Sequence, residues 1–317
     1  MAFRLRLVSG KTKIPFVRVH KLAFMLSGLL AIASIVLFFV VGVNKGIDFE
    51  GGILIEVGTE QAANIGGMRN ALSGLGLGEV ALQEFGSPNE VLIRVERQPG
   101  GEKAQQTAVD VVKKALNESI AALSYRRVEF VGPKVSAELV WAAMEAIGIA
   151  VIAMLAYIWF RFEWQFSVGA VLALVHDVVL TVGMFAVTRI EFNLASVAAI
   201  LTIVGYSIND TVVVYDRIRE NLRRYKQLPI PDLLNQSINE TLARTTMTSV
   251  TTLLALLALF FFGGEVIRGF SFAMIWGVLV GTYSSIFVAA PILIHLKLQR
   301  GALGADKEEE EADAAGA

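Results

Sequence analysis

Six long apolar runs constrain this chain more than any other feature. They fall at residues 22–43, 139–160, 166–188, 194–216, 245–262 and 270–296. Each is about 18 residues or longer, enough for a helix to cross a hydrocarbon core of about 30 Å. Composition agrees: only 18% of the 317 residues are charged and 55% are hydrophobic, whereas a soluble domain is nearer a quarter charged. The sequence therefore predicts a polytopic α-helical membrane protein with six transmembrane helices. The first run follows a basic segment, as a signal peptide would. Its apolar stretch is too long for one, and "VGVNKG" offers no small-x-small cleavage site, so it reads as a retained anchor. The chain has no cysteine, which excludes disulfides, thiolate metal sites and a cysteine nucleophile.

Basic residues set the expected orientation. Residues 1–21 form a basic arm with Arg4, Arg6, Lys11, Lys13, Arg18 and Lys21, and the 217–243 loop carries Arg217, Arg219, Arg223, Arg224 and Lys226. Arg161 lies between the second and third runs, and Lys297 and Arg300 follow the sixth. The opposite short loops carry only Arg189 with Glu191 and Arg268 with Glu265. Both termini are expected in the cytoplasm, with residues 44–138 on the far side. The tail at 301–317 is acidic, has no apolar face and is expected to be disordered. A net charge of -1 argues against nucleic acid as a partner.

The insert at 44–138 reads as a small α+β domain. "GGILIEV" is a strand, and "QAANIGGMRNALSGLG" has the spacing of a short helix. "EVALQEF" and "VLIRVER" alternate apolar and polar about a turn at "GSPNE". An amphipathic helix at "EKAQQTAVDVVKKALNESIAAL" and a last strand at "YRRVEFVG" complete the order βαββαβ, a ferredoxin-like unit. It holds no nucleophile–base set, no metal-ligand cluster and no phosphate-cradling glycine loop, so neither a nucleotide nor a metal cofactor is expected. "GIDFEGG" (46–52), with Asp48, Gly51 and Gly52, reads on its residues as a helix exit, a turn and a strand start.

The chemistry sits inside the runs. His176 and Asp177 lie near the centre of the third, and Asn209, Asp210 and Thr211 lie inside the fourth, before Asp216 and Arg217 end it. A carboxylate at that depth costs several kcal/mol unless it is paired, hydrated or protonated. The two helices run antiparallel, and at about 1.5 Å per residue the two aspartates differ in depth by about 8 Å. Ala195, Ala199, Thr202 and Tyr206 form a small-or-polar stripe leading to Asp210. Thr245, Thr248, Thr252 and Ala255 share a face of the fifth helix, and Gly277, Gly281 and Ser284 mark the sixth as a close-packing surface. Two readings of the acids stand: polar glue between helices, or a proton relay that includes His176. Arg217 caps the end of the fourth helix, and Arg244, at the start of the fifth, is the basic residue placed to reach the acids.

"GIDFEGG", the "HD" pair and "VGYSINDTVVVYDRIREN" (204–221) together resemble the SecF family, the smaller membrane subunits of SecD–SecF protein-export complexes. The resemblance covers about residues 20 to 300. It implies a pseudo-symmetric SecD partner, a fold similar to resistance-nodulation-division exporters, and association with the SecYEG channel in the bacterial cytoplasmic (inner) membrane. It implies use of the proton-motive force, with protons as coupling ion, to draw preproteins across after the ATP-driven step. It places Asp177 and Asp210 in the proton pathway and gives Asp48 a coupling role between span and domain. Three other classes compete. A proton-coupled exporter of small molecules or lipids would carry two large external loops in one long chain. An intramembrane aspartyl protease would favour a GxGD-like element, and here the second acid sits in "SINDT". The last is a scaffold that only holds the channel. No enzyme activity is expected.

Overall fold

A computed structural model describes residues 12–120, 122–296 and 298. The expectations for residues 1–11 and for the tail at 301–317 lie outside the described residues, as do Lys297 and Arg300. After a 3₁₀ turn at Phe16–Val19, helix α1 (His20–Val40) makes the first crossing. A one-turn helix, α2 (Ile47–Glu50), leads into β1 (Gly52–Thr59), α3 (Ile65–Leu72), β2 (Val80–Phe85), β3 (Ser87–Val95), α4 (Glu102–Ser119) and β4 (Leu123–Val131). The other crossings are α5 (Pro133–Arg161), α6 (Trp164–Thr188), α7 (Leu194–Arg224), α8 (Ile230–Phe262) and α9 (Glu265–Ser284). The last continues through a π turn (Ser285–Ala289) into α10 (Ala290–His295). Six helices are thus long and apolar enough to span a bilayer.

The inserted domain has the predicted order, with an antiparallel sheet arranged β2-β3-β1-β4. Ile53, Ile55, Val57, Val91, Ile93 and Val95 alternate onto one face and bury against Met68 and Leu72 of α3 and Val109, Val112 and Leu116 of α4. Burying each such side chain is worth about 1.5–3 kcal/mol, so this face holds the unit together without a disulfide. The opposite face places Leu54 and Leu92 on Ile47 of α2 and so seats the sheet on the end of the helix bundle. Burial pushes the Tyr125 phenol up from its ordinary pKa, and its hydroxyl donates to Asn117 Oδ1 at 3.0 Å. The hairpin is tighter than "GSPNE" suggests. Phe85 pairs with Ser87, so only Gly86, at φ +82°, makes the reversal.

Helix α6, helix α7 and the α9–α10 run form the inside of the bundle, whereas α1 and α5 are mostly exposed. Their exposed large apolar residues include Leu, Ile, Val, Phe and Trp, as lipid contact favours. Helices α7 and α8 run furthest past their apolar stretches. The fifth apolar run begins at 245, yet α8 begins at Ile230. Leu233, Leu234 and Ile238 recur at helical spacing there and bury against Ile218 and Leu222 of α7, which itself continues to Arg224. Arg244 is therefore inside α8 rather than at its end.

Candidate functional site

Asp177 is fully buried on α6 and collects donors from three helices. His176 Nδ1 lies 2.8 Å from Oδ1, while Ser207 Oγ of α7 and Ser284 Oγ of α9 donate to Oδ2 at 2.5 and 2.7 Å. Its own backbone carbonyl accepts from Thr181 Oγ1 at 2.7 Å. A carboxylate that accepts several bonds recovers much of what it loses by leaving water. Small residues make the geometry possible. Gly281 faces Ser207 closely enough that a Cβ there would stand 3.1 Å from Ser207 Cβ, and Gly277 lies against Ile203. The GxxxG pair is thus the contact between α7 and α9. One residue after Ser284 the backbone shifts to the π turn, where Ala290 N–H donates to Ser285 O. Such turns inside helices collect at functional sites.

Asp210 occupies a second position, three residues along α7 from Ser207, and is 2% exposed. Its hydrogen-bonding neighbour is Thr282 of α9, and Arg244 of α8 is the cation whose charge acts on it. Thr282 Oγ1 lies 2.7 Å from Ser249 Oγ, which accepts from Tyr206 OH at 3.2 Å. Asp210 Oδ2 and His176 Nε2 are buried without a hydrogen-bond partner among the described residues. No hydrogen bond joins the two acids among those residues. The structure instead places them on adjacent faces of the α7–α9 contact, one toward α6 and one toward α8.

The stripe expected to lead to Asp210 is rotated from its predicted position. Ala199 is buried, but Ala195, Thr202 and Asn209 are exposed. The inward face is Ser196, Ala199, Ile203, Ser207 and Asp210, and Thr211 is buried beside it. On α8, Thr245 is buried while Arg244 and Ala255 are exposed. Sequence reasoning missed Ser207, Ser249, Thr282 and, as a ligand of the acid, Ser284. Their only signal was small polar residues at helical spacing.

The remaining motif residues stand at the two ends of α7. At its domain end, Asp48 Oδ2 accepts from the backbone N–H of Leu194 at 2.9 Å, beside the capping box of Asn193 and Ser196. Gly51 (φ +73°) and Gly52 (φ +117°) turn the chain from α2 into β1, and a Cβ on Gly52 would meet Val95 O at 2.6 Å. Arg94 of β3 donates to Asn44 Oδ1 and Lys45 O and pairs with Glu191 at 3.0 Å, stitching the sheet to the α6–α7 connection. At the other end, Asp216 pairs with Arg161 at 2.9 Å, and Arg217 holds Glu240 at 2.6 Å and Glu220 at 2.5 Å. Arg217 therefore ties α7 to α8, distant from the acids. Among the described residues no group of three or more His, Asp or Glu could hold a metal ion.

The family model "Protein export membrane protein SecD/SecF, C-terminal" matches residues 111–299, and "SecD/SecF GG Motif" matches 36–63. The chain is 49% identical over 312 residues to a protein translocase subunit SecF of Rhodobacter capsulatus, covering 95% of this chain and 94% of that one. It is 46% identical over 292 residues to the Rickettsia rickettsii subunit of the same name, covering 92% and 94%. It superposes on the crystal structure of SecDF, a translocon-associated membrane protein from Thermus thermophilus, with TM-score 0.83 and 35% identity over 92% of its length. A super-membrane-facing form of SecDF gives TM-score 0.65 at 34% identity over 95%. The chain spans 40% and 41% of those two SecDF chains.

Proposed function

The chain belongs to the SecD/SecF family of protein export membrane proteins, and from that premise we propose that it is a Sec-pathway transport component that turns proton movement into a late pull on preprotein. Its place is the bacterial inner membrane, with both termini cytoplasmic and the inserted domain on the far side. There it stands beside a SecD-like partner at the SecYEG channel and acts after the ATP-driven step.

The observation that carries this reading is the fully buried Asp177, held at once by α6, α7 and α9. An ionised carboxylate accepts all three bonds. On protonation it loses its charge and one acceptor site becomes a donor, so the bonds that lock α7 to α9 weaken together. Asp210 supplies a second titratable station one turn along α7, with Arg244 setting its charge balance. His176, bonded to Asp177, is the group able to pass a proton on. A proton crossing about 150 mV releases roughly 3–4 kcal/mol, enough to bias a two-state bundle several-hundred-fold. The unequal match to two forms of SecDF, 0.83 against 0.65 at nearly equal identity, is what a relative with two arrangements would give.

The partner's seat is the exposed face of α7 and α8. Thr202 and Asn209 of α7 and Arg244 of α8 are exposed. Polar side chains on the outer face of an otherwise apolar bundle are what a polar helix of the SecD-like chain would meet with hydrogen bonds.

The test replaces Asp177 and Asp210 by Asn, singly, and follows gradient-dependent preprotein release from membrane vesicles. Asn keeps size and hydrogen bonding and removes titration. The expected outcome is normal insertion and assembly with the partner, intact ATP-driven translocation and loss of the gradient-stimulated part. Full gradient-stimulated release by both variants would leave polar packing as the role of the acids.

A further inference from the structure

The arginine-rich end of the bundle carries a cavity that the transport reading does not use. It measures about 410 Å³ and is lined by Arg161, Asp216, Arg219, Glu220, Arg223 and Arg224. The four arginines divide into two kinds. Arg161 and Arg219 are fixed: their guanidinium groups lie 5.1 and 5.4 Å from the Phe162 ring centroid, and they pair with Asp216 and Glu163. Arg223 and Arg224 are exposed and form no ion pair among the described residues, although Arg224 rests 5.4 Å from the Tyr225 ring centroid. The two lining acids are already engaged, Asp216 by Arg161 and Glu220 by Arg217. The cavity therefore presents two guanidinium groups without a carboxylate partner beside two that packing holds in place. That is a recognition surface for a phosphate anion, which guanidinium groups bind through paired N–H donors.

Its surroundings decide the source of the phosphate. Arg161 ends α5 and Trp164 begins α6, so the cavity stands where two crossings leave the hydrocarbon. Trp159 and Phe160 at the end of α5 and Trp164 at the start of α6 are exposed, Phe160 by 89%. Aromatic side chains so placed mark the headgroup level of a bilayer. Each headgroup layer is about 5–8 Å thick, and Arg223 lies one helical turn, about 6 Å, beyond Arg219. A lipid phosphate at the height of Arg161 and Arg219 would thus be met from below by Arg223 and Arg224. We propose that this cavity is a binding site for the headgroup of an anionic phospholipid, with the acyl chains lying along Trp159, Phe160 and Trp164. A basic segment that only orients the chain needs charge near the membrane. It needs neither a cavity nor arginines stacked on a buried ring.

The experiment reconstitutes the full chain in phosphatidylcholine bilayers with brominated phosphatidylglycerol or brominated phosphatidylcholine and reads tryptophan quenching. Two of the four tryptophans stand at the site. The expected result is a preference for phosphatidylglycerol of at least about fivefold for each of the two unpaired arginines in low salt. It falls near unity in Arg223→Gln/Arg224→Gln, is reduced to an intermediate value in Arg223→Lys/Arg224→Lys, which keeps the charge but not the paired donors, and survives in Arg18→Gln, a neutralised exposed arginine on the amino-terminal segment. Equal quenching by the two lipids in the unaltered chain would overturn the proposal. So would an unchanged preference in the double Gln variant, or a preference abolished by millimolar inorganic phosphate, which would mark a site for free anion. If the double Gln variant fails to reconstitute, salt titration of the unaltered chain decides: a preference insensitive to salt overturns the proposal.

Discussion

Arg94 offers the sharpest quantitative test of how the inserted domain is held to the bundle. Its guanidinium pairs with Glu191 at 3.0 Å and donates to Asn44 Oδ1 at 3.0 Å and Lys45 O at 3.2 Å. The two charged side chains are only 20% and 23% exposed, so water cannot fully replace either partner. Arg94→Met keeps the aliphatic stem and removes every one of these bonds. A hydrogen bond to a charged group contributes about 1.5–3 kcal/mol, and partial rehydration of Glu191 returns some of that. The net effect on the junction is about 2 kcal/mol, or about 30-fold in its opening constant.

Two amides report that opening directly. Gly46 N–H donates to Phe192 O at 2.8 Å and Phe192 N–H to Asn44 O at 2.7 Å, so both lie within the stitched segment. In Arg94→Met, hydrogen exchange at Gly46 and Phe192 should accelerate about 30-fold, while the amide of Ile93, in the sheet core, changes little. Glu191→Gln should give a smaller acceleration, because Arg94 keeps its two other acceptors. Unchanged exchange at Gly46 and Phe192 would refute the latch. Equal acceleration at Ile93 would refute it too, by showing that the substitution loosens the whole domain.

Removing the Asp48 cap should fray the domain end of α7. Asp48→Ala is expected to cost about 1 kcal/mol, seen as faster exchange of the Leu194 amide, and Asp48→Asn should restore most of it. Topology is checked with single cysteines at Ser87 and Gln227, since the chain has none of its own. An impermeant thiol reagent on intact spheroplasts should label position 87 and spare 227, and the reverse pattern would invert the proposed orientation.

The apolar runs and the βαββαβ order were legible because each rests on a local period. Alternation in "VLIRVER" sends Ile93 and Val95 to one face, and no distant residue is needed to see it. The site was legible only in its costly residues. A buried carboxylate such as Asp177 announces itself in an apolar run, whereas Ser207 and Ser284 do not, since small residues suit lipid, helix contacts and hydrogen bonding alike. Choosing among those roles requires the rotation of each helix. A helix that is apolar all round has no polar face from which to read that rotation, which is why a stripe through Ala195 and Thr202 comes out on the wrong side. The extension of α8 beyond its apolar run was hidden for the opposite reason. Its apolar residues are too sparse to register as a span, yet Leu233, Leu234 and Ile238 recur at helical spacing. Arg94 with Glu191, and Asp48 with the Leu194 amide, join positions about 100 and 150 residues apart, beyond what a period can carry.

The step from a proton to a moving domain runs through α7 on the proposed mechanism. Its first N–H is held by Asp48, Ser207 and Asp210 lie at its middle, and Arg217 and Asn221 tie its far end to α8. From Leu194 to Asp210 is about 24 Å of continuous helix, so a shift at the acids reaches the domain without passing through a flexible loop. The shift must also be within reach of the driving force. Ser284 already shares its hydroxyl with Gly281 O at 3.1 Å, so when Asp177 is protonated that donor has a second acceptor at hand. Gly277 and Gly281 seat Ile203 and Ser207 of α7 directly against the α9 backbone, which keeps the acid's ligands on the two helices close together. Losing two or three charge-assisted bonds in exchange for neutral ones then costs about 1–3 kcal/mol, less than the roughly 3–4 kcal/mol a proton releases across about 150 mV. Replacing Gly281 by a bulkier residue would remove that margin, because its side chain would push Ser207 away from Asp177.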